Sequence, residues 1–170
     1  MWQPVTDILA EFFSKVFSDE GVVFMLSLLP ISEIRGGMLY AGLTDMNMVG
    51  AFAISFIGNM LPIPVILLFI QRILAWMRTK KGLGKVVDWV MRKAEKGSKK
   101  LGKYTYWGLY LFVAIPLPGT GAWTGALVAN FLDLPIKKTL PIITVGVLTA
   151  GVIITTLAYT APDVFRMIVG

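Results

Sequence analysis

Two full charges, Glu33 and Arg35, interrupt the otherwise apolar stretch between Gly21 and Leu43 of this 170-residue chain. An ionisable side chain at membrane depth is costly and marks a site with a partner close by. Residues two apart do not face one another on a helix, but on an irregular tip Glu33 and Arg35 can meet. Two chemistries follow. Glu33 can act as a proton-exchanging carboxylate, with burial and the neighbouring guanidinium acting on it in opposite directions; Arg35 can attract an anionic headgroup. A self-neutralised structural pair is the plain alternative. Pro30, Ser32, Gly36 and Gly37 surround the two charges, and Pro116, Pro118, Gly119, Thr120 and Gly121 form a second break of the same character. Asn59, Thr124 and Thr144 are further cavity-lining candidates, although Thr in a membrane helix commonly satisfies its own backbone. Asp45 and Asp133 read as turn or cap residues.

The chemistry open to this set is narrow. The chain has no Cys and no His, which excludes disulfides and thiolate chemistry and removes the commonest transition-metal ligand and proton relay. No Ser-His-Asp set, phosphate-binding glycine loop or dinucleotide fingerprint is present. The expectation is therefore no enzyme, no cofactor and no metal. A net charge of +6 does not point to nucleic acid, because eleven of the sixteen Lys and Arg lie between Arg72 and Lys103. That is the local bias of a cytoplasmic loop in a membrane protein.

The elements that must hold these residues belong in lipid. Hydrophobic residues make up 56% of the chain and charged ones 15%, with a mean hydropathy of +0.73, whereas about a quarter of a soluble domain is charged. From Met48 to Met77 only Ser55, Asn59, Gln71 and Arg72 are strongly polar, a run longer than the roughly 20 residues a helix needs to span a bilayer. Asp7 and Glu11 stand where a signal peptide carries its basic region, so insertion is expected to use internal segments.

Comparison of the chain with itself at an offset of 88 residues pairs Pro30/Pro118, Gly37/Gly125, Asp45/Asp133 and Gly58/Gly146, beside several Leu and Ile pairs. Prolines, glycines and turn acids carry this inference, since they punctuate structure rather than fill it. Each half reads as a broken apolar segment, a polar turn and a longer helix. Nine residues from Gly21 to the first proline make about 13.5 Å of helix, which reaches only the middle of a ~30 Å core. Charge agrees with a half-depth hairpin: the basic loop and the pair Lys137, Lys138 both belong in the cytoplasm, so the segment between them must return to its starting side. The same logic brings the first hairpin in from the opposite side. The resulting expectation is an all-α polytopic protein of the cytoplasmic (inner) membrane, a single domain with two inverted repeats. Each repeat is a re-entrant helical hairpin followed by a transmembrane helix. Its parts are an interfacial amphipathic helix over residues 1–20, repeat 1 over 21–77, a basic cytoplasmic amphipathic helix over 78–103 and repeat 2 over 104–160.

The segment Pro30-Ile-Ser-Glu33-Ile-Arg35-Gly36-Gly37, the segment Ile115-Pro-Leu-Pro-Gly119-Thr-Gly121-Ala-Trp123 and the overall size resemble the small multidrug export family. In plan the chain is also similar to the larger DedA-type (SNARE-associated, VTT) membrane proteins. The resemblance covers roughly Gly21 to Tyr159. It implies paired re-entrant hairpins, an acidic residue in the first hairpin that falls on Glu33, and transport or lipid translocation, on the DedA side of undecaprenyl phosphate. DedA-type proteins carry arginines around the second break, whereas Ala114 to Gly121 has none. The expected function is a transporter, with protons as the coupling species, moving a lipid-phosphate headgroup or small amphipathic molecule through a cavity between the two hairpins. Export of lipophilic cations and a non-transporting membrane scaffold are the alternatives. Expected partners are membrane lipids and the transported amphiphile, with a homo-oligomer compatible with the pattern.

Overall fold

The computed structural model of the chain describes residues 18–44, 46–79, 84–101, 105–117 and 119–169. Among the described residues every regular element is an α-helix: α1 (Asp19–Leu28), α2 (Glu33–Leu43), α3 (Met48–Met60), α4 (Pro62–Arg78), α5 (Gly84–Leu101), α6 (Thr105–Ala114), α7 (Ala122–Phe131) and α8 (Ile136–Val169). The interfacial helix expected before residue 18 lies outside the described residues, as do Asp45 and Pro118. Residues 19 and 20 belong to α1 rather than to that helix.

Local chemistry sets the boundaries. Asp19 and Glu20 occupy the first turn of α1, where negative charge meets the positive end of the helix dipole. The helix stops at Leu29, which is extended at φ −74, ψ 140 because the following proline disfavours helical backbone before it. Helix resumes sooner than expected. The sequence suggests an irregular tip out to Gly37, but the Glu33 N–H bonds to the Leu29 carbonyl at 2.9 Å and the Gly36 N–H to the Ser32 carbonyl at 3.0 Å. Asn47 caps α3, its Oδ1 accepting the Gly50 N–H at 3.0 Å. The apolar run from Met48 is interrupted at Leu61, directly before Pro62, the first residue of α4. Helix α8 runs on past Tyr159, the end expected for it.

Among the described residues, two stretches are long and apolar enough to cross a membrane: Met48–Ile70, 23 residues through α3 and α4, and Ile136–Thr160, 25 residues of α8. Only 28% and 33% of their most apolar windows are buried, unlike the core helix of a soluble protein. Ile57, Leu61, Val65 and Leu68 on the first, and Val145, Val152 and Leu157 on the second, face outward, a surface suited to hydrocarbon. By contrast α1, α2, α6 and α7 have 10 or 11 residues each, about 15 Å of helix.

The chain forms two compact units. The first holds α1, α2, α3 and the part of α8 from Leu148 onward. Its core is Val22, Val23, Leu26, Ile34 and Met38. Glycines bring its backbones together: a Cβ at Gly58 would stand 2.8 Å from the Phe24 carbonyl oxygen, and one at Gly42 would stand 2.9 Å from that of Ala158. The Tyr159 hydroxyl donates to the Met46 carbonyl at 2.9 Å. The second unit, Leu61–Val147, holds α4 to α7 and the start of α8. Its core includes Ile63, Val87, Leu109, Val113, Val128 and Ile143, and Asn130 Nδ2 donates to the Leu67 carbonyl at 2.8 Å. Each unit thus contains a helical hairpin, the start of the helix that follows it and a stretch of the other long apolar helix.

The offset of 88 reappears in the backbone. The Met46 N–H bonds to the Ala41 carbonyl and the Leu134 N–H to that of Ala129; Thr44 bonds to Tyr40 and Leu132 to Val128; Ala51 bonds to Asn47 and Thr139 to Pro135. Each of these pairs is related by the offset that matched Asp45 with Asp133 in sequence. After α7 the chain makes a left-handed turn at Asp133, with φ 51. The Leu134 and Asp133 N–H groups then close onto Ala129 and Asn130, a Schellman ending.

Candidate functional site

At the first hairpin tip Glu33 opens α2 with a backbone φ of 53. A side chain in the left-handed region costs roughly 1–2 kcal/mol, and a conformation of that kind persists only where the surroundings enforce it. The residue is nonetheless 3% exposed. Arg35 Nη2 stands 3.6 Å from Glu33 Oε2, the arginine side chain being 18% exposed and the glutamate 4%. The left-handed start of the helix is what allows residues two apart to meet. Ser32 Oγ donates to the Leu26 carbonyl, closing the break, while Pro30 and Ile31 are exposed at its apex.

One turn beyond Glu33, α2 passes a set of buried polar groups. Ser27 Oγ, Ser55 Oγ and both amide atoms of Asn59 have no hydrogen-bond partner among the described residues, and all three residues are fully buried. A Cβ at Gly37 would overlap Ser27 Oγ and lie 2.8 Å from Ser55 Oγ, so the two hydroxyls converge from α1 and α3 on the backbone of α2. Asn59 follows Ser55 by one turn of α3 and adjoins Gly58, whose own Cβ position lies 3.2 Å from Ser27 Cβ. A buried polar group left unpaired costs about 1–3 kcal/mol, and native structures carry few of them. Three such residues stand on neighbouring helices of one unit.

The second tip lies in the second unit and differs in chemistry. Thr120 Oγ1 donates to the carbonyls of Ile115 at 2.9 Å and Leu117 at 2.8 Å. Gly119 and Gly121 have φ of 82 and 120, Pro116 is half-buried and Gly119 exposed. At the offset of 88, Thr120 matches Ser32, and each uses its hydroxyl to close its own break. Gly121 matches Glu33, and Ile115, Ile143 and Val147 match Ser27, Ser55 and Asn59. The carboxylate therefore occupies the position where the second half has a glycine, and the buried polar set occupies the positions of three aliphatic residues.

The residues singled out in the sequence fall into two sets. Pro30, Ser32, Glu33, Arg35, Gly36, Gly37 and Asn59 belong to the first unit; Pro116, Gly119, Thr120 and Gly121 belong to the second. Thr144 Oγ1 donates to the Leu140 carbonyl at 2.8 Å, the self-satisfied arrangement usual for such a residue. Sequence reasoning missed Ser27 and Ser55. The available signal was the spacing of Ser55 and Asn59, four apart on an otherwise apolar helix.

Residues 33–153 match the family described as "Putative small multi-drug export protein", a stretch that includes the tip carboxylate, the second hairpin, the whole of the first long apolar stretch and part of the second. No curated protein and no solved structure matches the chain. The family and the two apolar helices together make this an all-helical membrane protein with a transporter-like role. The chain belongs to the small multi-drug export protein family.

Proposed function

We propose that this protein is a proton-coupled transporter of the cytoplasmic membrane for an amphipathic molecule with an anionic headgroup, Arg35 meeting the headgroup and Glu33 carrying the proton. The observation that carries the reading is a buried glutamate in strained backbone at the position where the other half has a glycine. A residue serving only the turn would be glycine there too. Arg35, at 18% exposed against 4% for its partner, is the member of the pair presented to an arriving ligand. A phosphate that engages the guanidinium draws it from Glu33, and a buried carboxylate left without its cation takes up a proton. One negative charge and one proton then move together, and release reverses both steps. Ser27, Ser55 and Asn59 supply the hydroxyl and amide groups that would hold a proton-carrying water or a polar part of the substrate.

The same proposal covers topology. Arms of about 15 Å support hairpins that enter a ~30 Å core and return. With both hairpins re-entrant, only the two long stretches cross, so the halves are inverted. The bias of Lys and Arg then places α5 and the pair Lys137, Lys138 in the cytoplasm. The resemblance to DedA-type proteins supports a lipid-phosphate substrate.

The test is flux in liposomes containing the purified protein, comparing a fluorescent lipid phosphate with a lipophilic cation, with and without a pH gradient. Lipid-phosphate flux that responds to the gradient, falls about 100-fold in Glu33→Gln and loses apparent affinity in Arg35→Gln is the expected result. The family description favours a second reading, drug export, which for a lipophilic cation would appear as gradient-driven cation flux indifferent to Arg35→Gln. No flux of either probe would leave a membrane scaffold.

A further inference from the structure

Two helix ends, each followed by a proline, meet in the first unit. Ser27 is the last residue but one of α1 and Asn59 the last but one of α3. Carbonyls in the last turn of a helix lack an intrahelical donor and carry the negative end of its dipole. After α1 the chain is extended at Leu29 and continues through Pro30; after α3, Pro62 has no N–H to give the Gly58 carbonyl four residues before it. The two ends touch, because a Cβ at Gly58 would lie 2.8 Å from the Phe24 carbonyl oxygen and 3.2 Å from Ser27 Cβ. On α2, a Cβ at Gly37 would meet Ser55 Oγ at 2.8 Å and the Val23 carbonyl oxygen at 2.9 Å and would overlap Ser27 Oγ.

What gathers there is oxygen. Ser27 Oγ, Ser55 Oγ and Asn59 Oδ1 are buried without a hydrogen-bond partner among the described residues, beside the carbonyl oxygens of Val23 and Phe24. A water would satisfy the hydroxyls, but carbonyl oxygens and the end of α1 add partial negative charge, which selects a cation and disfavours an anion. Interrupted membrane helices place carbonyls and C-terminal ends around small cations in this way. The ligands are all neutral, whereas a divalent ion of the hard class takes carboxylates, so the set suits a monovalent ion. Glu33, one turn before Gly37 on α2, is paired with Arg35 and is not needed as a ligand.

We propose that Ser27, Ser55 and Asn59 bind a sodium ion between the ends of α1 and α3. Binding is read at equilibrium, without flux, so it stands or falls apart from the transport reading. The full-length protein in nanodiscs would be titrated with radioactive sodium, and its melting compared in the chlorides of sodium, potassium and choline at equal ionic strength. Saturable sodium binding is expected, with a melting temperature that rises in sodium relative to choline. Ser27→Ala, Ser55→Ala and Asn59→Val should each weaken sodium binding about tenfold or more and abolish the difference between the salts. Asn59→Asp, which keeps the oxygen and adds a charge, should bind sodium more tightly than the wild type. Melting that is the same in all three salts, with no sodium bound, would overturn the proposal and leave the three residues to water. So would sodium binding that survives intact in Ser55→Ala and Asn59→Val, or that Asn59→Asp leaves unchanged.

Discussion

The two hairpins are alike in packing and unlike in chemistry. Both breaks are closed by a hydroxyl, Ser32 in one and Thr120 in the other, bonding to carbonyls of the same break. Both arms meet at a glycine, Gly37 or Gly125, and both return helices end in turns with the same hydrogen bonds. Inside, Ser55 and Asn59 stand where the other half has the buried Ile143 and Val147, while Glu33 and Ser27 stand where it has Gly121 and the exposed Ile115. Whatever the polar set does is therefore not required to make a hairpin of this shape, because the second hairpin makes it without them.

Exchanging the interiors gives the largest expected effect. Val147 is 1% exposed, and Val147→Asn would place an amide with no partner in an apolar core, costing about 3 kcal/mol from lost burial and desolvation together. The reverse change, Asn59→Val, should raise stability by about 1–2 kcal/mol and depress flux. Thermal unfolding of the purified variants alongside the liposome assay reads both. If Asn59→Val destabilises the protein, the amide serves the fold and the comparison breaks.

The glycines test whether the hairpins pack equally tightly. A Cβ at Gly37 would meet the Val23 carbonyl oxygen at 2.9 Å, whereas one at Gly125 would meet Val113 Cγ2 at 2.7 Å and Leu109 Cδ1 at 3.5 Å. Backbone cannot turn aside and a methyl group can. Gly37→Ala should therefore cost about 2 kcal/mol and Gly125→Ala under about 1 kcal/mol. Equal losses in a paired melting experiment would mean that the second hairpin is as rigid as the first.

Much of this was legible in the sequence, because prolines, glycines and acidic turn residues report backbone geometry directly. Pro30 placed the first break, and the pairs Gly37/Gly125 and Gly58/Gly146 marked the offset of 88. The correspondence of Ser32 with Thr120 was hidden, since comparison by identity passes over two different residues with the same hydroxyl chemistry. That of Glu33 with Gly121 was hidden for a deeper reason: what they share is a positive φ, which no side-chain alphabet records for a glutamate. Ser27 and Ser55 were overlooked because serine in an apolar helix normally bonds to its own backbone, and only the packed helices reveal that these two do not.

Backbone strain at Glu33 provides a smaller effect. In an Arg35→Gln background, where the ion pair with Arg35 is already lost, Glu33→Gly should recover about 1 kcal/mol by relieving the left-handed glutamate. The double variant should melt above the single one and show no coupled flux. A double variant that melts lower would indicate that the carboxylate makes stabilising contacts beyond Arg35.

The smallest expected effect concerns a bond found in the first hairpin only. The Tyr40 hydroxyl donates to Asp19 Oδ1 at 2.8 Å, tying the end of α2 to the start of α1. The corresponding residues of the second hairpin, Val128 and Trp107, can form no such bond. Burial foremost, then the hydrogen bond and the negative charge of Asp19, push the Tyr40 phenol up from 10.0 to about 12. A raised pKa means that the neutral, donating form is the one the fold favours. Its contribution is fully present below pH 10, the unfolded value, and is lost as pH rises through 12. Tyr40→Phe should lower stability by about 0.5 kcal/mol at neutral pH, the low end for an exposed neutral-to-charged pair. The gap between wild type and variant should shrink steadily from pH 10 upward. A gap that stays constant to pH 12 would assign the effect to packing of the phenol ring rather than to the bond with Asp19, and would leave the two hairpins alike at their open ends as well.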